Sequence, residues 1–209
     1  MNSSNYRILK GAVVVLAAGA GRRMGKVKPL LPYGGGSLVE NALKAALGCG
    51  MDTVAVVVGY EAQAVKEEIG KWGPLIIENP EWAEGIGSSI RTAIRAIQQK
   101  DPGIDGIILM VCDQPFVTFS VLKALIKKQE ETRMPITASR YDGIHGTPAL
   151  FHRRFFPDLS HLEGDRGAGL LIKENASLVA TVDFPAGGVD IDTGKDYDQL
   201  RAQKRTHDY

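Results

Sequence analysis

The chain has 209 residues, with 44% hydrophobic and 23% charged residues, which is the ordinary balance of a globular protein of one medium-sized domain. The formal net charge of +1 provides no global field for nucleic acid or a membrane surface, and no apolar run is long enough to span a bilayer. The two cysteines lack the spacing of a metal site. The first segment is polar and lacks the apolar core of a signal peptide. We therefore expect a cytoplasmic protein that binds neither nucleic acid nor membrane.

Short apolar segments alternate with helical patterns through the first part of the chain. Continuous apolar runs, typical of strands covered on both faces, predict strands at Val13–Leu16, Thr53–Val58, Leu75–Ile77 and Gly106–Val111. Caps and helical periodicity predict a helix from the Ser37/Glu40 capping box to near Gly48, then Glu61–Ile69, a helix capped by Ser88, and Thr118–Glu131. This alternation implies a parallel, right-handed α/β sheet.

Beyond Pro135 the pattern is less regular. It predicts strands at Ile136–Arg140 and Pro148–Phe151, a helix over Asp165–Lys173, and extended segments at Leu178–Val182 and Val189–Asp192. Thr193, followed three residues later by Asp196, predicts the cap of a last helix. No linker, repeat or low-complexity tract divides the sequence, so we expect a single domain over residues 1–209.

A loop rich in glycine and basic residues follows the first predicted strand. It does not match the Rossmann fingerprint, because Met24 stands at the third glycine, and it does not match the P-loop, because Ala20 and Val27 stand at required positions. Glycines still allow backbone N–H groups to approach an anion, and four cations fall within seven residues: Arg22, Arg23, Lys26 and Lys28. The loop therefore predicts a polyphosphate site rather than a solvated turn.

The segment from Leu16 to Lys28, LAAGAGRRMGKVK, resembles the signature of nucleotidyltransferases with the glycosyltransferase-A-like fold. Further segments resemble motifs of the molybdenum cofactor cytidylyltransferases and guanylyltransferases: residues 79–89 (NPEWAEGIGSS), 112–115 (CDQP), 146–151 (GTPALF), 164–168 (GDRGA) and 190–193 (DIDT). The resemblance covers the chain from Val13 to about Leu200, and two residues depart from it: Cys112 replaces a glycine and Thr147 a histidine.

This resemblance implies a Rossmann-like, three-layer α/β/α fold with a mostly parallel central sheet. Residues 11–117 would form a nucleotide-binding half and residues 118–205 an acceptor-binding half. The implied reaction transfers CMP or GMP from CTP or GTP to the phosphate of molybdopterin and releases pyrophosphate, with Mg²⁺, or alternatively Mn²⁺, as the cofactor. Transient contact with molybdoenzymes or their chaperones is the partner interaction that the resemblance implies.

The resemblance also assigns roles to individual residues. Lys28 would contact the α-phosphate, Arg23 would neutralise the β- and γ-phosphates, and Asp113 would complete the catalytic set by binding the metal. The predicted nucleotide-binding residues are Leu16, Ala17, Ala18, Gly19, Ala20, Gly21, Lys28, Gly85, Gly87, Ser88 and Ser89. The predicted acceptor-binding residues are Gly146, Thr147, Pro148 and Asp165.

Two aspartates are the candidate metal ligands. Asp113 directly follows a buried apolar strand and should emerge at the carboxyl edge of the sheet, where Mg²⁺ could use one or two carboxylates together with phosphate oxygens. The alternative for Asp113 is a turn residue before Pro115. Asp192 is the second candidate, but an Asp-Thr pair before a helix is also ordinary capping chemistry, and Asp190 shares its strand parity. The choice between Asp190 and Asp192 stays open.

Several alternatives remain at this point. The acceptor could be another phosphorylated compound, such as a sugar phosphate or a lipid precursor, or the protein could be a non-catalytic nucleotide-binding maturation factor. Ser88 fits a helix cap as well as a ribose or base contact, and Trp82 favours a core or lid position over ligand stacking. Arg91 and Arg95, one helical turn apart, favour a solvated face, and Cys112 favours a packed thiol.

Overall fold

The computed structural model describes residues 6, 8, 10–21, 25–191 and 193–205, with side chains as far as residue 200. Among these residues the strands are β1 (Gly11–Ala17), β2 (Pro32–Tyr33), β3 (Gly36–Ser37), β4 (Thr53–Val58), β5 (Leu75–Glu78), β6 (Gly106–Val111), β7 (Ile136–Tyr141), β8 (Ile144–His152) and β9 (Val179–Asp183). The α-helices are α1 (Leu38–Leu47), α2 (Ala62–Ile69), α3 (Ile86–Lys100), α4 (Phe119–Thr132), α5 (Phe156–Leu159), α6 (Ala168–Glu174) and α7 (Gly194–Arg205).

The main sheet of the described chain has seven strands in the order β5-β4-β1-β6-β8-β7-β9. The pairs β5–β4, β4–β1, β1–β6 and β7–β9 are parallel, whereas β8 runs antiparallel to both of its neighbours. The expectation of a mostly parallel sheet is confirmed. Because β8 is reversed, its first residues lie at the same edge as the carboxyl ends of β1 and β6.

Helices cover both faces of this sheet. Strand β1 is buried along its whole length, with Ala12, Val14 and Leu16 packed toward α3, α5 and α6, and Val13, Val15 and Ala17 packed toward α1, α2 and α4. This alternation explains why the sequence of β1 is apolar at every position. The result is the three-layer α/β/α arrangement that the resemblance predicts. No helix of the described chain is long and apolar enough to cross a membrane.

Local capping signals explain where several helices begin. Ser37 and Glu40 form a capping box at α1, because the Ser37 Oγ accepts from the Glu40 N–H and the Glu40 carboxylate accepts from the Ser37 N–H. Thr193 and Asp196 make the same reciprocal pair at α7. Both predicted caps are therefore confirmed, and the strands predicted at Thr53–Val58 and Gly106–Val111 have those bounds.

Two predictions on local structure are wrong. Helix α3 begins at Ile86, so Ser88 lies in its first turn and does not cap it. Helix α6 begins at Ala168 and not at Asp165, because residues 163–167 form a turn that packs against the start of α3. The described part of the predicted extended segment Val189–Asp192 belongs to no strand of the sheet, but Val189 is extended and the Ile191 N–H donates to the Asp113 carbonyl oxygen at 3.2 Å.

Candidate active site

A cleft of about 480 Å³ lies at the carboxyl edge of β1 and β6. The loop after β1, the segment that leads into α3, the end of β6 and the turn before α6 form its walls. The lining residues are Leu16, Ala17, Ala18, Gly19, Ala20, Gly21, Lys28, Pro29, Trp82, Ala83, Glu84, Gly85, Ile86, Ser89, Val111, Cys112, Asp113 and Asp165. Ligands of open α/β sheets bind at this edge, so the cleft is the candidate active site.

The loop after β1 is held close to the start of the Lys28–Leu30 turn. Gly21 has a φ of +54°, and a Cβ there would lie 3.0 Å from the Lys28 Cβ and 3.2 Å from the Lys26 carbonyl oxygen. The Tyr60 N–H fixes the beginning of the loop by donating to the Ala18 carbonyl oxygen at 3.0 Å. All six predicted nucleotide-binding residues of this loop line the cleft. Arg23 lies outside the described residues.

Lys28 and Asp113 meet in the cleft although 85 positions separate them in the sequence. The Lys28 Nζ donates to the Asp113 Oδ2 at 2.6 Å, and the two side chains are only 12% and 22% exposed. Lys28 reaches this place because its turn folds back below β1, and Asp113 because it follows the buried strand β6. Two of the three predicted catalytic residues are thus brought together.

The other carboxylate oxygen of Asp113, Oδ1, is buried and has no hydrogen-bond partner in the described part of the chain. A buried, unsatisfied carboxylate oxygen is costly unless a ligand satisfies it, and a hard divalent cation is the ligand that such an oxygen prefers. No group of three or more His, Cys, Asp or Glu side chains that could hold a metal ion occurs among the described residues. The donor set fits a metal ion shared with phosphate oxygens.

Asp192, the second candidate metal ligand, lies outside the described residues. Its neighbour Ile191 is buried and pairs with the Asp113 backbone, which brings residues 190–191 to the same sheet edge as Asp113. Asp190 acts electrostatically on Tyr141: burial is the main cause that raises the pKa of Tyr141, and the charge of Asp190 raises it further. A role of either aspartate in metal binding stays a prediction.

The segment before α3 is tied together by buried polar side chains. The Asn79 Nδ2 donates to the Ser88 Oγ at 2.8 Å and to the Ser89 Oγ at 3.0 Å, while the Ser88 hydroxyl also contacts the carbonyl oxygens of Glu81 and Gly85. Ser89 and Gly85 line the cleft, but the fully buried Ser88 and its neighbour Gly87 lie behind this wall. We predicted that Ser88 and Gly87 contact the nucleotide. This stays a prediction, and the positions of the two residues do not favour it.

Two side chains of the cleft wall were assigned mainly structural roles from the sequence. Trp82 lines the cleft while it packs on Gly59 and stands edge-to-face with Tyr60 at 5.4 Å between ring centroids. Cys112 is buried, and this burial, followed by the neighbouring charge of Asp113, raises the pKa of its thiol. The prediction of a packed thiol is confirmed, because Cys112 is buried within the apolar cluster on one face of the sheet.

Arg91 does not lie on a solvated face, so that prediction is wrong. Its side chain is 14% exposed and donates to the Leu162 carbonyl oxygen and to the Glu84 Oε2, both at 2.7 Å, with the Glu81 Oε2 at 3.4 Å. Arg95, one turn further along α3, is exposed as expected. Helical spacing identifies the face of α3 but gives no information on the distant turn that covers Arg91.

The predicted acceptor-binding residues divide into two places. Asp165 lines the cleft, whereas Gly146, Thr147 and Pro148 lie in the first part of β8 and do not line it. Close packing against the Tyr141 hydroxyl leaves no room for a side chain at Gly146. The predicted acceptor residues of β8 thus stand beside the cleft, at the same sheet edge.

Two polar residues of this neighbourhood were given no role from the sequence. The Gln114 Nε2 donates to the Gly187 carbonyl oxygen at 2.8 Å and lies 3.4 Å from the Tyr141 hydroxyl oxygen. Gln114 directly follows Asp113 and is 4% exposed. Its position in the CDQP motif was the available signal, but no local pattern indicates Tyr141 as its neighbour.

A family model described as the MobA-like NTP transferase domain matches residues 13–181. The purine catabolism protein PucB of Bacillus subtilis is 32% identical over 201 residues, covering 90% of this chain and 94% of PucB. The nicotine blue oxidoreductase of Paenarthrobacter nicotinovorans is 31% identical, covering 92% and 94%. The molybdenum cofactor cytidylyltransferase of Escherichia coli is 24% identical, covering 82% and 90%.

Solved structures agree with these relatives. A homologue of Mycobacterium tuberculosis Rv0371c from Mycobacterium sp. strain JC1 superposes with a TM-score of 0.81 at 33% identity, covering 94% of this chain and 97% of that one. Rv0371c itself, solved in complex with manganese, gives a TM-score of 0.73 at 30% identity, covering 91% and 97%. The chain therefore belongs to the MobA-like NTP transferase family and is a nucleotidyltransferase.

Proposed function

We propose that the protein transfers CMP or GMP from a nucleoside triphosphate to the phosphate of molybdopterin. An oxygen of the acceptor phosphate forms a bond to the α-phosphorus, and the bond from that phosphorus to the bridging oxygen breaks, so that pyrophosphate leaves with the electron pair. The observation that carries the proposal is the Lys28–Asp113 pair, whose second carboxylate oxygen is buried and unpartnered beneath the glycine loop. The motif resemblance and the cytidylyltransferase relative support the choice of acceptor.

In this proposal each group of the cleft has a separate task. The backbone of Gly19, Ala20 and Gly21 cradles the β- and γ-phosphates, and Arg23 neutralises them. Lys28 turns from Asp113 to the α-phosphate, where negative charge increases in the transition state. Phosphoryl transfer of this kind depends mainly on positioning and charge neutralisation, so a fixed cation at the reacting phosphorus is the largest contribution expected from the protein.

A divalent cation is part of the proposal. The Asp113 Oδ1 would hold it, with Asp192 as the second protein ligand, and a bound Mg²⁺ or Mn²⁺ would neutralise the triphosphate and polarise the α-phosphate. With so few protein ligands, we expect weak binding of the metal without nucleotide and much tighter binding with it. The manganese complex of Rv0371c is consistent with a divalent cation in a related protein.

The nucleotide and the acceptor approach from different sides in this proposal. Gly85 and Ser89, together with the loop after β1, face the nucleotide, and Asp165 faces the acceptor, to which Thr147 contributes from the start of β8. The product would then pass to a molybdoenzyme or its chaperone by transient contact.

A second candidate is a nucleotidyltransferase for another phosphorylated acceptor. Two observations favour it: Thr147 stands where the resembled motif has histidine, and PucB and the nicotine blue oxidoreductase, at 32% and 31% identity, carry names other than molybdenum cofactor cytidylyltransferase. This candidate uses the same nucleotide side of the cleft and differs only in the compound that Asp165 faces.

Pyrophosphate release from CTP, GTP, ATP and UTP, with and without molybdopterin and with Mg²⁺ or Mn²⁺, tests the proposal. We expect release only with molybdopterin and predominantly with CTP or GTP. Release that requires a sugar phosphate in place of molybdopterin would establish the second candidate. Nucleotide binding without release under any of these conditions would overturn both and leave a nucleotide-binding factor without catalysis.

A further inference from the structure

Two segments that are far apart in the sequence form one continuous rim of the cleft. The first is residues 81–87, which lead into α3, and the second is the turn of residues 162–165 before α6; we call them the entry segment and the far turn. The Gly87 N–H donates to the Gly164 carbonyl oxygen at 2.9 Å. Glu84, Gly85 and Ile86 of the entry segment and Asp165, which ends the far turn, line the cleft. The rim thus carries residues of both predicted substrate sides.

The two segments are in direct backbone contact. A Cβ at Gly85 would lie 2.5 Å from the Gly164 carbonyl carbon and oxygen, and one at Gly87 would lie 2.9 Å from the Glu163 nitrogen. Gly85 also has a φ of +120°, which a residue with a side chain rarely adopts. These two glycines allow the two segments to come into backbone contact, which a side chain at either position would prevent.

Arg91 joins the two segments from behind the rim. Its Nη1 donates to the Leu162 carbonyl oxygen of the far turn, while its Nη2 donates to Glu84 and Glu81 of the entry segment. A guanidinium presents its donors in a rigid planar fork and can serve acceptors on two segments at once. A lysine at this position has a single nitrogen and could not hold the same arrangement.

The contacts of Arg91 indicate a geometric role more than an energetic one. Its acidic partners Glu81 and Glu84 are 57% and 49% exposed, and ion pairs with such exposed carboxylates contribute little to stability. The bond to the Leu162 carbonyl is different, because it fixes the position of a turn that has no helix or strand of its own. The main effect of Arg91 is therefore expected on the position of the far turn and its Asp165.

We propose that Arg91 is a positioning residue that couples the two substrate sides of the cleft. Binding of nucleotide against the entry segment orders the far turn through Arg91, and this raises the affinity for the second substrate. The inference rests on the proposed function only where it identifies this second substrate as a phosphorylated acceptor. Coupling between two sites is typically about 5- to 150-fold in affinity, and it is reciprocal.

Amide hydrogen exchange on the complete chain tests the coupling without any acceptor. The probe is a non-hydrolysable analogue of the nucleotide that binds, with Mn²⁺, added to wild type, Arg91→Gln and Arg95→Gln. Arg95→Gln is the matched control, because it makes the same change of charge one turn along α3 at an exposed position. We expect the analogue to slow exchange of the amides of residues 163–167 in wild type and Arg95→Gln, and to leave them unchanged in Arg91→Gln although it still binds.

If Arg91→Gln does not fold, the variant Arg91→Lys is used to test the same coupling. It retains the positive charge beside Glu84 but cannot hold both segments, so we expect it to fold and to lose at least half of the nucleotide-dependent protection. Undiminished protection of the far turn in a folded Arg91→Gln or Arg91→Lys protein would overturn the proposal.

Steady-state kinetics separate this inference from the proposed function. In Arg91→Gln the KM for the acceptor should rise by about 5- to 150-fold, with a smaller change in the KM for nucleotide, whereas Arg95→Gln should match wild type. Two results together would refute molybdopterin as the acceptor and leave the coupling intact. They are that the wild-type protein transfers nothing to molybdopterin and that protection of the far turn still requires Arg91. Unchanged acceptor KM in an active Arg91→Gln protein would refute the coupling alone.

Discussion

Two largely buried carboxylates, Glu40 and Asp113, each have a lysine partner but differ in how completely they are satisfied. The Glu40 Oε1 accepts from the Lys71 Nζ at 2.7 Å and from the Trp72 Nε1 at 3.1 Å, while its Oε2 accepts from the Ser37 N–H at 3.4 Å. Hydrogen bonds from Lys71 and then Trp72 lower the pKa of Glu40 to about 2. Asp113 has its lysine on one oxygen and nothing in the described structure on the other.

The surroundings of Glu40 and Asp113 also differ in the space that they leave for a ligand. A Cβ at Gly36 would collide with the Glu40 carboxylate, so no space for a ligand remains there, whereas Asp113 lies in the cleft. Protein donors complete the shell of Glu40, and an incoming ligand must complete that of Asp113. A buried carboxylate with a full set of donors therefore indicates a structural role, and one with an unsatisfied oxygen in a residue that lines a cleft indicates chemistry.

The largest expected effect is that of Asp113→Asn. The amide oxygen can still accept from Lys28, but the charge that would hold the metal is lost, so turnover should fall by at least about 10³-fold, the upper range for loss of one electrostatic contact in a transition state. The free energy of unfolding should change by less than about 1 kcal/mol, because the amide oxygen keeps the hydrogen bond from Lys28 and both side chains line the cleft. Turnover and urea denaturation measure the two quantities, and a large loss of stability would make Asp113 a structural carboxylate like Glu40.

Lys28→Ala should reduce kcat by about 10²- to 10³-fold, with a smaller loss of nucleotide affinity. The reason is that negative charge at the α-phosphate is greatest in the transition state, so its cation contributes more there than in the bound ground state. Single-turnover rates and calorimetric titration with nucleotide separate the two effects. Near-normal turnover together with weak nucleotide binding would instead make Lys28 an anchor for the ground state.

Glu40→Gln should show the opposite behaviour to Asp113→Asn. The amide brings N–H groups toward Lys71 and Trp72, so the free energy of unfolding should fall by about 1–2 kcal/mol, the scale of a lost charged hydrogen bond. Turnover of the folded protein should stay within about twofold of wild type, since Glu40 does not line the cleft. A loss of activity without loss of stability would contradict the structural assignment of Glu40.

The stabilisation by Glu40 should depend on pH. The pKa of Glu40 is about 2 in the folded protein, against 4.5 for an unperturbed glutamate side chain, so folding favours its ionised form. The contribution is complete above pH 4.5 and decreases as the pH falls toward 2. Urea denaturation of wild type and Glu40→Gln at about pH 7, 5 and 3 should therefore show a stability difference that is constant between the two higher values and smaller at the lowest.

The smallest effect is expected for Lys71→Ala, the counterpart of Lys28→Ala. The Lys71 side chain is 65% exposed, and an ion pair of this kind contributes little, so the free energy of unfolding should fall by less than in Glu40→Gln. Trp72 and the Ser37 N–H continue to satisfy Glu40 in this variant. Thermal or urea denaturation would detect a larger loss, which would show that Lys71 stabilises the protein beyond this pair.

The nucleotide side of the molecule could be predicted from sequence for a physical reason. Parallel strands end at one sheet edge, so a motif at the end of β1 and an aspartate after β6 must come close together, although the ion pair between Lys28 and Asp113 was not predicted. The family resemblance of residues 79–89 predicted Gly85 and Ser89 at the nucleotide, and both line the cleft, whereas Gly87 and Ser88 of the same motif do not.

The other side depends on contacts that local patterns do not contain. The bond from Arg91 to the Leu162 carbonyl spans 71 positions, and the Gln114–Tyr141 neighbourhood joins two turns. One signal was available: Asp142 and Gly143 both have positive φ at the tip of the β7–β8 hairpin, and an Asp-Gly pair is a strong hairpin indicator. Applying it would have extended the predicted strand at Pro148–Phe151 back to Ile144.

The reversed direction of β8 has a consequence for how specificity can diversify among proteins of this architecture. The residues beside the cleft at Gly146–Pro148 belong to the start of a strand, only three positions after a two-residue turn. Insertions are tolerated at exposed loop tips, so this turn could lengthen without disturbing the pairing of β8 with β6. New side chains would then enter the neighbourhood of the predicted acceptor residues while the loop after β1 stays unchanged, so the two regions can evolve independently of each other.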